Sequence, residues 1–138
     1  MAIAGGSLAR LAYIAEVTYG TTPATPAFQV INPTSHSIGL EKETFQSETI
    51  RSDRQLSDFR HGVRQASGDI GIEFRDASWD DLLQAVMMGT WSTDVLKAGT
   101  TRRSFTIERF FSDITRYRRA VGCEFNSFSL ECPASGIV

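Results

Sequence analysis

Cysteine is nearly absent from this chain: Cys123 and Cys132 are the only two in 138 residues. Neither sits in a C-x-x-C spacing or near a histidine, which excludes a disulfide scaffold and a thiolate metal cluster. Two buried free thiols in apolar, strand-like surroundings are expected instead. Histidine is as scarce, with His36 and His61 set apart in polar, turn-prone segments where a solvated imidazole is expected rather than a ligand. Lysine is reduced to Lys42 and Lys97 among 14 basic residues. The net charge of −2 and pI near 5.6 exclude a basic nucleic-acid binder. No window approaches the roughly 20 apolar residues that span a bilayer. The opening MAIAGGSLAR has neither a basic nor an apolar signal region, so a protein made in a cytoplasm, with no membrane partner, is expected.

The chemistry of catalysis is missing too. No G-x-S-x-G occurs, Ser35-His36 and Asp53 form no triad by any local logic, and Gly5-Gly6 opens no strand-to-helix phosphate turn. Asp80-Asp81 reads as helix-start charge before it reads as paired catalytic carboxylates. Arg102-Arg103 and the run Arg116, Arg118, Arg119 have Glu108, Asp113 and Glu124 as neighbours, and Arg119 points opposite to Arg116 and Arg118, so a solvated or intersubunit salt-bridged face is expected. No enzyme, cofactor or metal site is expected.

What is present is β structure. Apolar content of 41% with nine Phe supports a core in a single domain over residues 1–138, burying about 68% of the unfolded surface. Strands are predicted over 10–19, at an edge piece holding Phe28, Val30 and Ile31, over 37–43 with Ile38 and Leu40 inward, over 94–98, over 103–109 with Phe105 and Ile107 inward, over 116–125, and over 127–132 through Phe128, Leu130 and Cys132. Phe110 to Asp113 breaks the pattern of its strand. Pro133 to Gly136 is a turn signal, and Ile137-Val138 reads as the start of a further strand that the sequence does not complete.

The most distinctive stretch is SETIRSDRQLSDFRHGVRQASGDIGIEF, Ser47 to Phe74. Arms at Thr44–Ile50 and Val63–Phe74, with a bulge near Lys42, flank a tip carrying Arg51, Asp53, Arg54, Asp58 and Arg60. Ile70, Ile72 and Phe74 point one way while Asp69, Gly71 and Glu73 point the other. A tip so charged and so poor in apolar anchors is expected to meet another subunit. One helix is marked by Ser78 as N-cap, Asp81 in capping-box register and Gly89 as C′ residue. Trp79, Leu82, Leu83, Val86 and Met87 form its core stripe, with Met87-Met88 as core filling.

The run EVTYGTTP at Glu16–Pro23, the hairpin ETIRSDRQLSDFRHGVRQASGDI, the helix SWDDLLQAVMMGTW and the segment LKAGTTRRSFTIERFFSDI resemble, in order, the tail tube protein of long, non-contractile-tailed bacteriophages. The resemblance implies a mainly β fold with one flanking α-helix, a two-sheet β-sandwich or incomplete barrel, here lacking its last C-terminal strand or strands. It implies a structural virion protein forming homo-oligomeric, hexameric rings that stack into a tube. Its partners would be the tape measure, terminator and tail-tip proteins, and genomic DNA would transit the lumen without specific binding. The tip residues would then make inter-subunit contacts, and Asp69, Gly71 and Glu73 would face the lumen. The alternatives are a β-sandwich binding module of a tail tip or baseplate, and a secretion-system tube-like protein.

Overall fold

Phe105 to Phe111 is buried along most of its length, and it becomes one of the two inner strands of the main sheet. In a computed structural model, which describes residues 9–47, 58–74, 79–132 and 134, this sheet runs in the order β2-β1-β7-β8 and is antiparallel throughout. Its strands are β1 (Ala9–Ala15), β2 (Gln29–Ile31), β7 (Phe105–Phe111) and β8 (Arg116–Cys123). Between them in sequence come β3 (Pro33–His36), β4 (Gly39–Gln46), β5 (Phe59–Ser67), β6 (Ile70–Ile72) and the helix α1 (Asp80–Val86). β3 pairs with β6 and β4 with β5, so the fold is mainly β with open sheets and, among the described residues, a single short helix, as expected. The chain divides into two compact units: Met1–Thr34 with Ile72–Val138, and Ser35–Gly71.

In the first unit, register puts Leu11, Tyr13, Ile31, Phe105, Ile107 and Phe111 on one face of the four-stranded sheet, and all are buried. Tyr13 meets Phe105 edge-on at 5.8 Å, and Phe105 meets Phe125 at 5.6 Å. Burial, followed by the nearby charges of Asp81 and Asp80, raises the pKa of Tyr13, whose hydroxyl donates to Gln29 Oε1 at 2.6 Å. Trp79 and Ala85 are the buried residues of the helical segment, whereas Leu82, Leu83 and Val86 are half-buried.

Several expectations are corrected. Phe110 and Phe111 continue the strand rather than breaking it, because Arg10 and Ala9 pair with them. Thr106 and Glu108 are as buried as Phe105, since an inner strand is covered on both faces and alternation cannot show it. The helix ends at Val86 with Met87 as its C-cap, so the C′ position falls on Met88, one residue before the expected glycine. Met88 holds the left-handed conformation (φ 49°), and the N–H groups of Met88 and Gly89 donate to Ala85 O and Gln84 O in a Schellman arrangement. Gly89 is needed for space: a Cβ there would land on the carbonyl oxygen of Lys97. Met87 and Met88 are about 40% exposed, so they are not core filling. Ser127 to Cys132 forms no strand, leaving Phe128, Leu130 and Cys132 exposed; of residues 94–98 only Val95 takes part in a bridge, to Ser92. Leu40 is exposed rather than inward.

Candidate assembly surface

The second unit presents the surface of interest. β4 and β5 pair only with each other among the described residues, so both outer edges of this ribbon carry unpaired backbone groups. Every residue of β4 and all of β5 except Gly62 are exposed. Leu40, Phe45, Phe59 and Val63 are 50% or more exposed, with Val63 reaching 73%. A two-stranded ribbon without a covered face is marginal in water. Covering these side chains would contribute about 25 cal/mol per Å² of apolar surface removed from solvent.

A bulge sorts the side chains. Lys42 pairs with Arg64 but Thr44 with His61, so the register shifts between Lys42 and Thr44 near the position read from the sequence. By strict alternation beyond it, Leu40, Lys42 and Phe45 share a face with Arg60, Gly62, Arg64 and Ala66. Glu41, Thr44 and Gln46 share the other with Phe59, His61, Val63 and Gln65. Gly62 makes room for the bulge, because a Cβ there would come within 2.6 Å of the Phe45 ring and 3.0 Å of the Glu43 carboxylate. Phe59 and His61 meet edge-on at 5.2 Å.

Of the tip residues, Arg51, Asp53 and Arg54 lie outside the described residues. Asp58 and Arg60 lie at the base of the tip, where Ser47 N donates to Asp58 O, and they pair with each other at 2.6 Å (Arg60 Nε to Asp58 Oδ2). Both are well exposed, so this pair contributes about 0–1 kcal/mol. Asp69 exchanges hydrogen bonds with Ser37: Asp69 N donates to Ser37 Oγ at 2.8 Å, and Ser37 N to Asp69 O at 3.0 Å. Gly68 precedes it at φ 152°, so β5 and β6 are separate strands rather than one continuous arm. Asp69 is exposed, Gly71 and Glu73 are half-buried, and so are Ile70 and Ile72; Phe74 is exposed. Sequence reasoning did not single out Lys42 with Arg64, or Phe45 with Val63. The hint available was Gly62 opposite the suspected bulge.

The scaffold is organised by a residue that sequence reasoning also passed over. The Glu16 carboxylate accepts four hydrogen bonds. Oε2 takes Gly20 N–H (2.8 Å) and the Ser104 hydroxyl (2.7 Å); Oε1 takes Gly122 N–H (2.9 Å) and the Thr106 hydroxyl (2.7 Å). Burial alone would raise its pKa, but the donors from Gly122, Ser104, Thr106 and Gly20 together outweigh that and hold it below the usual glutamate range. Gly20 and Gly122 both have positive φ, 70° and 66°, which lets their N–H groups turn toward the carboxylate. Nearby, Arg119 Nε donates to the buried Glu108 at 2.6 Å and Arg102 grips Glu124, so these arginines find their carboxylates within the subunit. No group of His, Cys, Asp or Glu among the described residues could hold a metal. None of the described helices is long and apolar enough to cross a membrane.

Among known families, the model described as phage tail tube protein matches this chain across residues 6–138. No curated protein matches it.

Proposed function

The chain belongs to the phage tail tube protein family, and from that premise we propose that its copies close into hexameric rings that stack into a hollow tube for DNA passage. The observation carrying this reading is the exposed β4–β5 ribbon, whose two outer edges are unpaired among the described residues and whose four large apolar side chains are bare to water. Closing copies into a ring removes free edges, and a heterologous contact whose rotation closes gives a ring. The tip residues Arg51, Asp53, Arg54, Asp58 and Arg60 would contact a neighbouring subunit or the next ring. Asp69, Gly71 and Glu73 would line the lumen. A conduit must not grip its cargo, and each cation meeting a phosphate strengthens DNA attachment through counterion release. Acidic and neutral linings let DNA slide.

Family membership makes this a structural component of the virion tail, and it supports a non-enzymatic role. Assembly in the host cytoplasm, with tape measure, terminator and tail-tip proteins as partners, completes the proposal. Negative-stain microscopy and light scattering across a concentration series test it. Rings or tubes are expected, with Arg54→Glu reducing them. A monomer at every concentration would refute self-assembly.

A further inference from the structure

The two faces of the ribbon differ in charge, and the difference follows from the bulge. On one face Lys42 stands directly opposite Arg64, with Arg60 further along. Like charges facing each other across two strands destabilise a ribbon by themselves. Arg60 is held by Asp58, but neither Lys42 nor Arg64 has an ion-pair partner among the described residues. Leu40 and Phe45 lie on the same face, 61% and 54% exposed. Aromatic and arginine side chains around an apolar centre are the composition of a protein contact. The opposite face holds Glu41, Thr44, Gln46, Phe59, His61, Val63 and Gln65, without one lysine or arginine.

We infer that the Lys42–Phe45–Arg64 face of the ribbon packs against a second copy of this chain, while the Glu41–Val63–Gln65 face turns to the DNA channel. This rests on the tube reading above. The second copy can supply the missing counter-charge: Asp80, Asp94 and Glu131 are exposed and have no ion-pair partner among the described residues. Reversing the assignment would put Lys42 and Arg64 into the channel, repeated around each ring, with the Glu43 carboxylate beside Gly62 on the same face offsetting one of the two charges. The charge left over would add a phosphate contact and make DNA adhere in a salt-dependent way. Without the bulge, Thr44 would share the face of Lys42, and Phe45 would move to the side of Glu41. The bulge therefore gathers the exposed ring of Phe45 with the cations and keeps it from the channel side.

The test uses the full chain and two sets of variants, each checked for a wild-type circular dichroism spectrum. Arg64→Glu and Phe45→Ser should weaken assembly about tenfold, read as the concentration giving half-maximal light scattering, because they leave a like charge or a void at the contact. Arg64→Gln should give a smaller loss in the same direction. Gln65→Glu and Val63→Ser should assemble as wild type does. Tubes of Gln65→Arg should co-sediment with short duplex DNA at low salt, and wild-type tubes should not. If wild type assembles and the Arg64 and Phe45 variants do so equally well, or if Gln65→Arg tubes retain no DNA, the face assignment is overturned while the tube reading stands. If wild type stays monomeric, both fail.

Discussion

Replacing Glu16 by glutamine changes one oxygen to an NH₂ group and almost nothing in volume. Each carboxylate oxygen accepts one hydroxyl and one backbone N–H. Ser104 and Thr106 can rotate their hydroxyls to accept instead, but the amides of Gly20 and Gly122 cannot stop donating. Whichever way the glutamine amide is turned, one backbone N–H faces another donor. Hydrogen bonds to charged groups contribute about 1.5–3 kcal/mol, and an orphaned buried donor costs about 1–3 kcal/mol. These groups are only part-buried and water can reach them, so the substitution should cost about 1–2 kcal/mol. For a domain of this size that is a fall in Tm of about 3–5 °C per kcal/mol, or about 3–10 °C altogether. Thermal unfolding followed by circular dichroism at pH 7 measures it. The sign of the pH dependence is fixed by the lowered pKa: the unfolded chain takes up the proton first, so acid favours unfolding. The gap between wild type and Glu16→Gln should be full above the usual glutamate range and should close as pH falls through the lower value Glu16 has when folded. A glutamine variant melting within about 1 °C of wild type at pH 7 would refute the reasoning, since one unsatisfied amide alone exceeds that.

Three further substitutions probe the scaffold by denaturant unfolding. Gly89→Ala should destabilise by about 2 kcal/mol or more, because the added methyl meets the Lys97 carbonyl, whose backbone would have to shift. Met88→Gly, one position earlier, should stabilise by about 0.5–1 kcal/mol by relieving a left-handed non-glycine residue that is exposed and packs little. Arg119→Met should cost about 2–4 kcal/mol by leaving the buried Glu108 carboxylate unpaired, and adding Glu108→Gln should recover most of the loss; failure of that recovery would show that Arg119 acts through packing on Phe28 instead.

The parts of the fold legible in the sequence are those whose cause is local. Phe105 and Ile107 alternate, so their strand could be read, and Phe28 to Ile31 between two prolines could be read as an edge. The Glu16 cluster could not, because three of its four donors lie 88 to 106 residues away and only Gly20 is a near neighbour. Ser127 to Cys132 alternates as cleanly as any strand, yet no described strand pairs with it, and alternation without a partner makes no sheet. The ribbon shows the same limit from the other side. Its pairing was legible, because a bulge and a glycine leave local marks, but Leu40 was read as inward on the assumption that a strand alternating in sequence must have an inside. Among the described residues of its unit the β4–β5 ribbon has none, and its apolar side chains are exposed on both faces. Alternation therefore records burial wherever it is completed, and for Leu40 and Phe45 the proposed place of completion is the contact between copies rather than the subunit.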